Sequence, residues 1–66
     1  MKNSLKVERA IKNVTQEDLA NKIGVSRQAI NSIELGKYVP STVLALKLSR
    51  YFAKSVNEIF KLEETD

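Results

Sequence analysis

Apolar residues recur at three- and four-residue steps along most of the chain, which is the period of an amphipathic α-helix. Residues that cap and end helices divide this pattern into five segments. The predicted helices span about residues 4–13, 16–23, 26–36, 42–53 and 56–60. The sequence therefore predicts an all-α fold formed by a single domain over residues 1–66.

Two of these helices have apolar patterns that predict how they pack. The first helix has one apolar stripe, formed by Leu5, Val7, Ala10, Ile11 and Val14. The fourth helix is apolar on more than one face, which predicts that it is the central and most buried helix. Val56, Ile59 and Phe60 are expected to point inward from the fifth helix. The residues after it, 61–64, fit either a short edge strand or a frayed tail.

The second and third helices are each about two turns long and are joined by only about three residues, the arrangement called helix-turn-helix. Thr15 and Ser26 are good N-caps, and Gly24 suits the left-handed conformation of the turn. Ala20 is small enough for a close approach of the two helices. The motif is predicted over about residues 16–35. Short capped helices with a glycine turn also occur in small bundles of other kinds.

Composition excludes most enzyme chemistry. The chain has no cysteine and no histidine, which excludes disulfides, thiolate or imidazole metal sites and the common nucleophile pairs. Its two glycines are too few for a phosphate-binding loop. Its adjacent carboxylates, in the second helix and in the tail, are not held in a geometry for acid–base catalysis. We therefore expect no metal, no cofactor and no enzymatic activity.

Charge is distributed unevenly along the chain. Residues 1–54 contain ten basic and four acidic side chains, whereas residues 55–66 contain one basic and four acidic. A basic body suits a polyanionic partner, although an ordinary solvated surface explains the same counts. No apolar run is long enough to span a bilayer and no signal peptide is evident, so we expect a cytoplasmic protein without a membrane partner.

Residues 15–38, TQEDLANKIGVSRQAINSIELGKY, resemble the Cro/repressor, or xenobiotic-response-element, type of helix-turn-helix DNA-binding proteins. The similarity extends over about residues 5–60 and is greatest to very short single-domain repressors of the cytolysin-operon kind. The resemblance implies a five-helix domain that binds double-stranded DNA and regulates transcription. It also implies a structural ion pair between Arg9 and Glu34.

The third helix is expected to lie in the major groove, where amide and guanidinium side chains can pair with base edges. The predicted base contacts are Gln28, Arg27, Ser32 and Asn31. Arg27 could equally bind a phosphate, and the four side chains could simply form a solvated face. The predicted phosphate contacts are Gln16, Ser26, Lys37 and Tyr38, with Tyr38 as an alternative core residue. Lys6 and Lys12 fit a phosphate contact and an ordinary surface charge equally well.

One recognition helix reads only a few base pairs, so we expect a homodimer on a palindromic operator, acting as a repressor. The predicted dimer interface is Ile59, Phe60 and Leu62, with a short terminal β element as a possible part of it. The alternative is a monomer with a frayed tail. The small core leaves no room for an effector cavity, so no small-molecule ligand is expected. The alternative functions are an antitoxin-like module or a protein-interaction bundle that binds a protein partner and DNA only secondarily.

Overall fold

The computed structural model describes residues 1–66 and contains five helices and two very short strands. The predicted all-α fold with a short terminal β element is confirmed. In chain order the elements are β1 (Lys2–Asn3), α1 (Leu5–Lys12), α2 (Gln16–Ile23), α3 (Arg27–Glu34), α4 (Thr42–Phe52), α5 (Val56–Ile59) and β2 (Phe60–Lys61).

Side-chain caps set the beginnings of four helices. The hydroxyls of Thr15, Ser26, Ser41 and Ser55 each accept a hydrogen bond from the backbone N–H three residues later. At α2 the cap is reciprocal, because the carboxylate of Asp18 also accepts from the N–H of Thr15 at 3.1 Å. Each cap satisfies a backbone donor that has no partner within its helix.

The core joins all five helices and consists of eleven buried apolar residues. They are Leu5, Leu19, Ala20, Ile23, Ile30, Ile33, Leu44, Leu48, Phe52, Ile59 and Phe60. Helices α2 and α3 pack closely on one another, and Ala20, only 2% exposed, lies in the core between these elements. Gly24 ends α2 with a φ of 87°, the left-handed conformation that the sequence predicts for the turn.

The predicted apolar stripe of α1 is wrong for Val7, Ala10 and Ile11, which are exposed, whereas Val14, just after the helix, is half-buried. Leu5 is fully buried, but Val7 and Ile11 are 59% and 69% exposed. Glu8 takes the inward position instead and is 7% exposed. Its carboxylate accepts a hydrogen bond from Nζ of Lys54 at 2.9 Å, so a tertiary ion pair satisfies the buried charge.

The prediction that α4 is buried on more than one face is also wrong. Leu44, Leu48 and Phe52 form one buried stripe, while Val43 and Leu46 are 63% and 57% exposed. The remaining elements pack mainly on the inner face of α4, so the outer apolar side chains of its first half stay more than half exposed.

The two ends of the chain pair with each other. Strands β1 and β2 are antiparallel, with Lys2 opposite Lys61 and Asn3 opposite Phe60. Helix α5 consequently ends at Ile59, one residue earlier than predicted, because Phe60 is already part of the strand. The side-chain amide of Asn3 donates to the carbonyl of Ile33 at 2.7 Å and joins this sheet to α3.

We predict that Ala53→Gly stabilises the protein by about 0.5–1 kcal/mol, because Ala53 ends α4 with a left-handed φ of 55° that glycine adopts without steric cost. Thermal unfolding would show a rise of roughly 2–8 °C. Ala10→Gly is the matched control, since Ala10 is exposed inside α1 and glycine there lowers stability by a similar amount. A melting temperature that falls in both variants would contradict the assignment.

Candidate nucleic-acid interface

The four predicted base-contacting residues share the outer face of α3. At about 100° per residue, Gln28 points directly away from the midpoint between buried Ile30 and Ile33. Arg27, Gln28 and Asn31 are exposed and Ser32 is half-buried. Their arc covers less than half of the helix circumference, so one groove of a duplex could contact all four.

Five of the predicted contact residues line one shallow depression on the surface. They are Ser26, Gln28, Ser32, Lys37 and Tyr38, and Ala29 forms part of its floor. Tyr38 is 47% exposed, which places it at this surface rather than in the core. The depression therefore brings both predicted ends of the DNA contact, the start of α3 and the loop after it, onto one side of the molecule.

The C-terminal end of α3 has a Schellman motif that determines where Lys37 lies. The N–H of Lys37 donates to the carbonyl of Ser32, and the N–H of Gly36 donates to the carbonyl of Ile33, both at 3.0 Å. Gly36 has a φ of 75°, which turns the chain sharply. The turn follows directly after Leu35, so α3 ends two residues earlier than the sequence pattern suggested.

Arg9 and Glu34 form a two-pronged ion pair that joins α1 to the end of α3. Nε of Arg9 donates to Oε2 of Glu34 at 2.6 Å, and Nη2 donates to Oε1 at 3.0 Å. A third guanidinium donor, Nη1, binds the carbonyl of Val14 at 3.2 Å. The two side chains are only 15% and 7% exposed, so solvent screens this pair less than a surface pair.

Gln16 extends this ion pair into a network that reaches the outer face of α3. Its side-chain Nε2 donates to Oδ1 of Asn31 and to Oε1 of Glu34, both at 3.1 Å. The two amide donors of Gln16 are thereby used within the protein, so the side chain must give up a bond to contact a phosphate. Asn31 keeps its own amide donors free, because only its carbonyl oxygen is engaged.

The environment of Glu34 keeps it ionised. Burial by itself raises the pKa of its carboxyl, but hydrogen bonds from Arg9 and Gln16 and the positive charges of Arg9 and Lys6 outweigh burial. The pKa of Glu34 therefore lies below its usual value. The hydrogen bond to Glu34 conversely raises the pKa of Arg9.

Most of the basic side chains have no acidic partner. Of the eleven lysines and arginines, only Arg9 and Lys54 form ion pairs. Near the candidate interface, Arg27 and Lys37 are free of such pairs, whereas Lys12 lies 4.7 Å over the ring of Tyr51 on another flank. Sequence reasoning missed a basic pocket between α2 and α4, formed by Lys22, Lys47 and Arg50. Only tertiary packing brings Lys22 close to the other two.

The residues predicted for the dimer interface occupy two different environments. Ile59 and Phe60 are 0% and 7% exposed in the core of a single chain, and Leu62 is 82% exposed. Buried side chains offer almost no contact area to a second copy. The physical reason is the pairing of β2 with β1, which turns the chain end back over its own core.

No group of three or more acidic, cysteine or histidine side chains is placed to hold a metal ion. None of the helices reaches the length and hydropathy that crossing a lipid bilayer requires.

Comparison with known proteins agrees with this geometry. A family model described as Helix-turn-helix matches residues 5–59. An uncharacterized HTH-type transcriptional regulator of Methanocaldococcus jannaschii is 53% identical over 66 residues, covering 100% of both chains. An uncharacterized HTH-type transcriptional regulator of Bacillus subtilis is 45% identical over 64 residues, covering 97% of both. The HTH-type transcriptional activator BcrR of Enterococcus faecalis is 40% identical over 53 residues, which are 80% of this chain and 26% of that protein.

The family match covers all five helices, and the relatives of the same length are similar from end to end. The predicted resemblance is therefore confirmed at the level of the family. This chain belongs to the helix-turn-helix family and is a DNA-binding transcriptional regulator.

Proposed function

We propose that the protein binds a palindromic operator as a homodimer, with α3 in the major groove, and represses transcription by occupying the promoter. The observation that supports this most directly is the exposed polar face of α3 beside the depression that includes Lys37 and Tyr38. A helix with one apolar and one polar face can pack on its own core and still enter the groove.

Gln28 has the central role in base recognition because it points farthest from the core. Its amide can donate and accept at once, which matches the N6 and N7 atoms of adenine. Arg27, one residue earlier, can pair with O6 and N7 of guanine or hold a phosphate. Asn31 and Ser32 extend the contact by one helical turn, with Asn31 acting as a donor since Gln16 already engages its oxygen.

Phosphate contacts position the helix from both of its ends. Lys37 and Tyr38 lie past the C-terminal end of α3, and Ser26 lies at its start. At the start of α2, the backbone N–H of Gln16 has no partner inside the helix and is suited to a phosphate oxygen. The side chain of Gln16 joins α2 to α3 through its hydrogen bonds to Asn31 and Glu34. It can contact the DNA backbone only if it exchanges one of these bonds for a bond to a phosphate.

Two copies are needed because one α3 contacts only a few base pairs. Half-sites one helical turn apart, about 34 Å, suit two chains that are each 32 Å in their longest dimension. A chain of this size that occupies a promoter competes directly with other proteins for the same DNA. On this ground we propose that the protein represses transcription, and that it does so without a small-molecule effector.

The proposal is tested by selecting sites from a random duplex pool with the wild-type chain at about 50 and 200 mM salt. We expect enrichment of palindromic sites whose half-sites are about ten base pairs apart. Binding upstream of a reporter should lower transcription. Weak binding that depends on salt but selects no sequence would contradict operator recognition and favour the antitoxin-like or protein-interaction alternative.

We predict that Lys37→Ala weakens binding to all duplexes alike and makes the salt dependence shallower. Each lost phosphate contact lowers the slope of log K against log salt by roughly 0.9, so a dimer loses roughly 1.8. The measurement is a fluorescence titration on the selected site and on an unrelated duplex. Lys61→Ala is the matched control, because Lys61 is exposed in β2 at the chain ends, and an equal loss of slope there would refute the role of Lys37.

A further inference from the structure

We infer that the paired chain ends hold the C-terminal end of α3 in its DNA-reading position, and that Asn3 is the positioning residue through which they do so. We call the joined residues Met1, Asn3, Glu63 and Asp66 the terminal clasp. The inference rests on the proposed function in one respect, the contact of α3 and Lys37 with DNA. It gives a role in that contact to residues at the two ends of the chain, which need not touch the duplex themselves.

Asn3 links the start of α1 to the last turn of α3. Its side-chain Nδ2 donates to the carbonyl of Ile33 at 2.7 Å, and its Oδ1 accepts from the backbone N–H of Leu5 at 3.2 Å. Carbonyls in the last turn of a helix have no partner further along the helix. The carbonyl of Ile33 also accepts from the N–H of Gly36 at 3.0 Å, so Asn3 binds its second lone pair. One side chain, 30 residues away in the sequence, thus holds the point at which α3 ends.

Met1 adds a second contact at the same end of α3. Its carbonyl oxygen lies 3.6 Å from the position that a Cβ would take at Gly36, so its main chain runs beside the turn after α3. Its side chain packs against the hydrophobic core. Residues 1–3, 34–36 and 63 line one common hollow. Lys37 follows directly after Gly36, so the terminal clasp touches the turn that determines where Lys37 lies.

The amino group of Met1 is held by acidic side chains at the other end of the chain. Its nitrogen lies 3.0 Å from Oε1 of Glu63 and 3.1 Å from Oδ2 of Asp66. The pairing of β1 with β2 places the two ends side by side. Ion pairs at the surface contribute little to the stability of a fold, so we expect these two to affect the position of Met1 more than the melting temperature.

The end of α3 needs such support because the helix is short. It has eight residues, is about 12 Å long, and has only Ile30 and Ile33 buried in the core. The ion pair of Arg9 with Glu34 holds its end from the side of α1, and the terminal clasp holds it from the side of β1. Base recognition tolerates little displacement, because a hydrogen bond weakens once the donor–acceptor distance exceeds about 3.2 Å. A small tilt of α3 therefore weakens base contacts even when the fold stays intact.

The experiment measures DNA affinity and thermal stability of Asn3→Ala together. Ser55→Ala is the matched control, because it also removes a side-chain hydrogen bond, the cap that Ser55 provides for the N–H of Glu58 in α5. Both variants should lose thermal stability. At a temperature where circular dichroism shows both folded, only Asn3→Ala should bind the selected operator more weakly, by about tenfold, the effect of one impaired base contact. Affinity for an unrelated duplex should change less, because the flexible side chain of Lys37 can follow a phosphate.

Asn3→Asp separates the bond to α3 from the bond to α1. An aspartate keeps an acceptor for the N–H of Leu5 but has no donor for the carbonyl of Ile33. Asn57→Asp is its matched control, because it introduces the same charge at an exposed position of α5. We expect Asn3→Asp to bind the operator more weakly than Asn57→Asp, although α1 keeps its hydrogen bond from residue 3.

Asp66→Asn tests the hold on Met1. Glu64→Gln is the matched control, because each substitution removes one negative charge from the tail and Glu64 forms no ion pair. The loss of charge alone raises affinity for DNA to the same extent in both variants. Asp66→Asn should therefore bind the operator about twofold more weakly than Glu64→Gln.

The inference is overturned if Asn3→Ala and Asn3→Asp, when folded, bind the selected operator as tightly as their controls. It is also overturned if Ser55→Ala loses as much operator affinity as Asn3→Ala, because the loss would then follow stability and not the position of α3. If Asn3→Ala does not fold, the comparison of Asp66→Asn with Glu64→Gln decides, and equal affinities there overturn the inference.

Site selection with the wild-type chain is read separately and tests the proposed function alone. If wild type selects an operator and the clasp variants bind it as their controls do, the proposed function stands and the inference fails. If wild type selects no site, the proposed function fails. Weaker binding of an unrelated duplex by Asn3→Asp than by Asn57→Asp would then still support the terminal clasp.

Discussion

Replacing Glu34 with alanine is expected to lower the free energy of unfolding by about 2 kcal/mol, the typical cost of removing hydrogen bonds to a charged, largely buried group. The substitution leaves the Arg9 guanidinium, 15% exposed, with only the carbonyl of Val14, and it removes one acceptor of Gln16. For a domain of 66 residues this corresponds to a fall in melting temperature of roughly 8–16 °C. Thermal unfolding followed by circular dichroism measures it.

Glu64→Ala is the matched control for the charge change, because Glu64 is exposed and forms no ion pair, and its effect should stay within about 0.5 kcal/mol. The base preference of Glu34→Ala, measured at a temperature where it is folded, should equal that of wild type. If the base preference changed while the melting temperature did not, Glu34 would be a DNA contact rather than mainly the partner of Arg9.

The same ion pair predicts a pH dependence. Because the folded-state pKa of Glu34 is lowered, its carboxylate stabilises the fold fully above the unfolded-state pKa of about 4.3. This stabilisation is lost as the pH falls through the lower folded-state pKa. The melting temperature of wild type should therefore fall more steeply below about pH 4.3 than that of Glu34→Gln, which cannot titrate at this position.

Gln28→Ala is expected to lower affinity for the selected operator by about 10–100-fold per half-site, since one good bidentate base contact is worth about 1–3 kcal/mol. Affinity for an unrelated duplex should barely change, because Gln28 is not placed among the phosphate contacts. The specificity ratio falls accordingly, and the enriched sequence should become degenerate at one position in each half-site. A titration on matched and mismatched duplexes at fixed salt measures both quantities.

Asn57→Ala is the matched control for Gln28→Ala. Asn57 is also an exposed amide side chain on a helix, but it lies in α5. Its replacement should leave both affinity and base preference unchanged. If Gln28→Ala lost the same affinity for all duplexes, Gln28 would contact the phosphate backbone. Arg27 or Asn31 would then be the residue that contacts the bases.

The sequence by itself determined the features that depend on close neighbours along the chain. The caps at Thr15 and Ser26 and the left-handed turn at Gly24 involve residues no more than five positions apart. The helix-turn-helix and the exposed polar face of α3 follow from them and from helical periodicity. This part of the fold was predictable because its hydrogen bonds and side-chain spacing are local.

Tertiary structure alone decided which apolar residues are covered. Periodicity predicts that Val7 and Glu8 both belong to α1. Glu8 can take the inward position because its carboxylate pairs with Lys54, which lies 46 residues later in the chain. The sequence pattern indicated Ile59 and Phe60 both as inward residues of the fifth helix and as a dimer interface, and in the packed chain, where β2 pairs with β1, both are buried.

The candidate interface divides in the same way. Its outward residues on α3 were predictable, whereas the bonds from Gln16 to Asn31 and Glu34 join residues 15 and 18 positions apart. The exposure of Val43 and Leu46 likewise depends on how few elements pack around α4. Burial and long-range hydrogen bonds are properties of the packed chain, because each requires a partner that the local sequence does not specify.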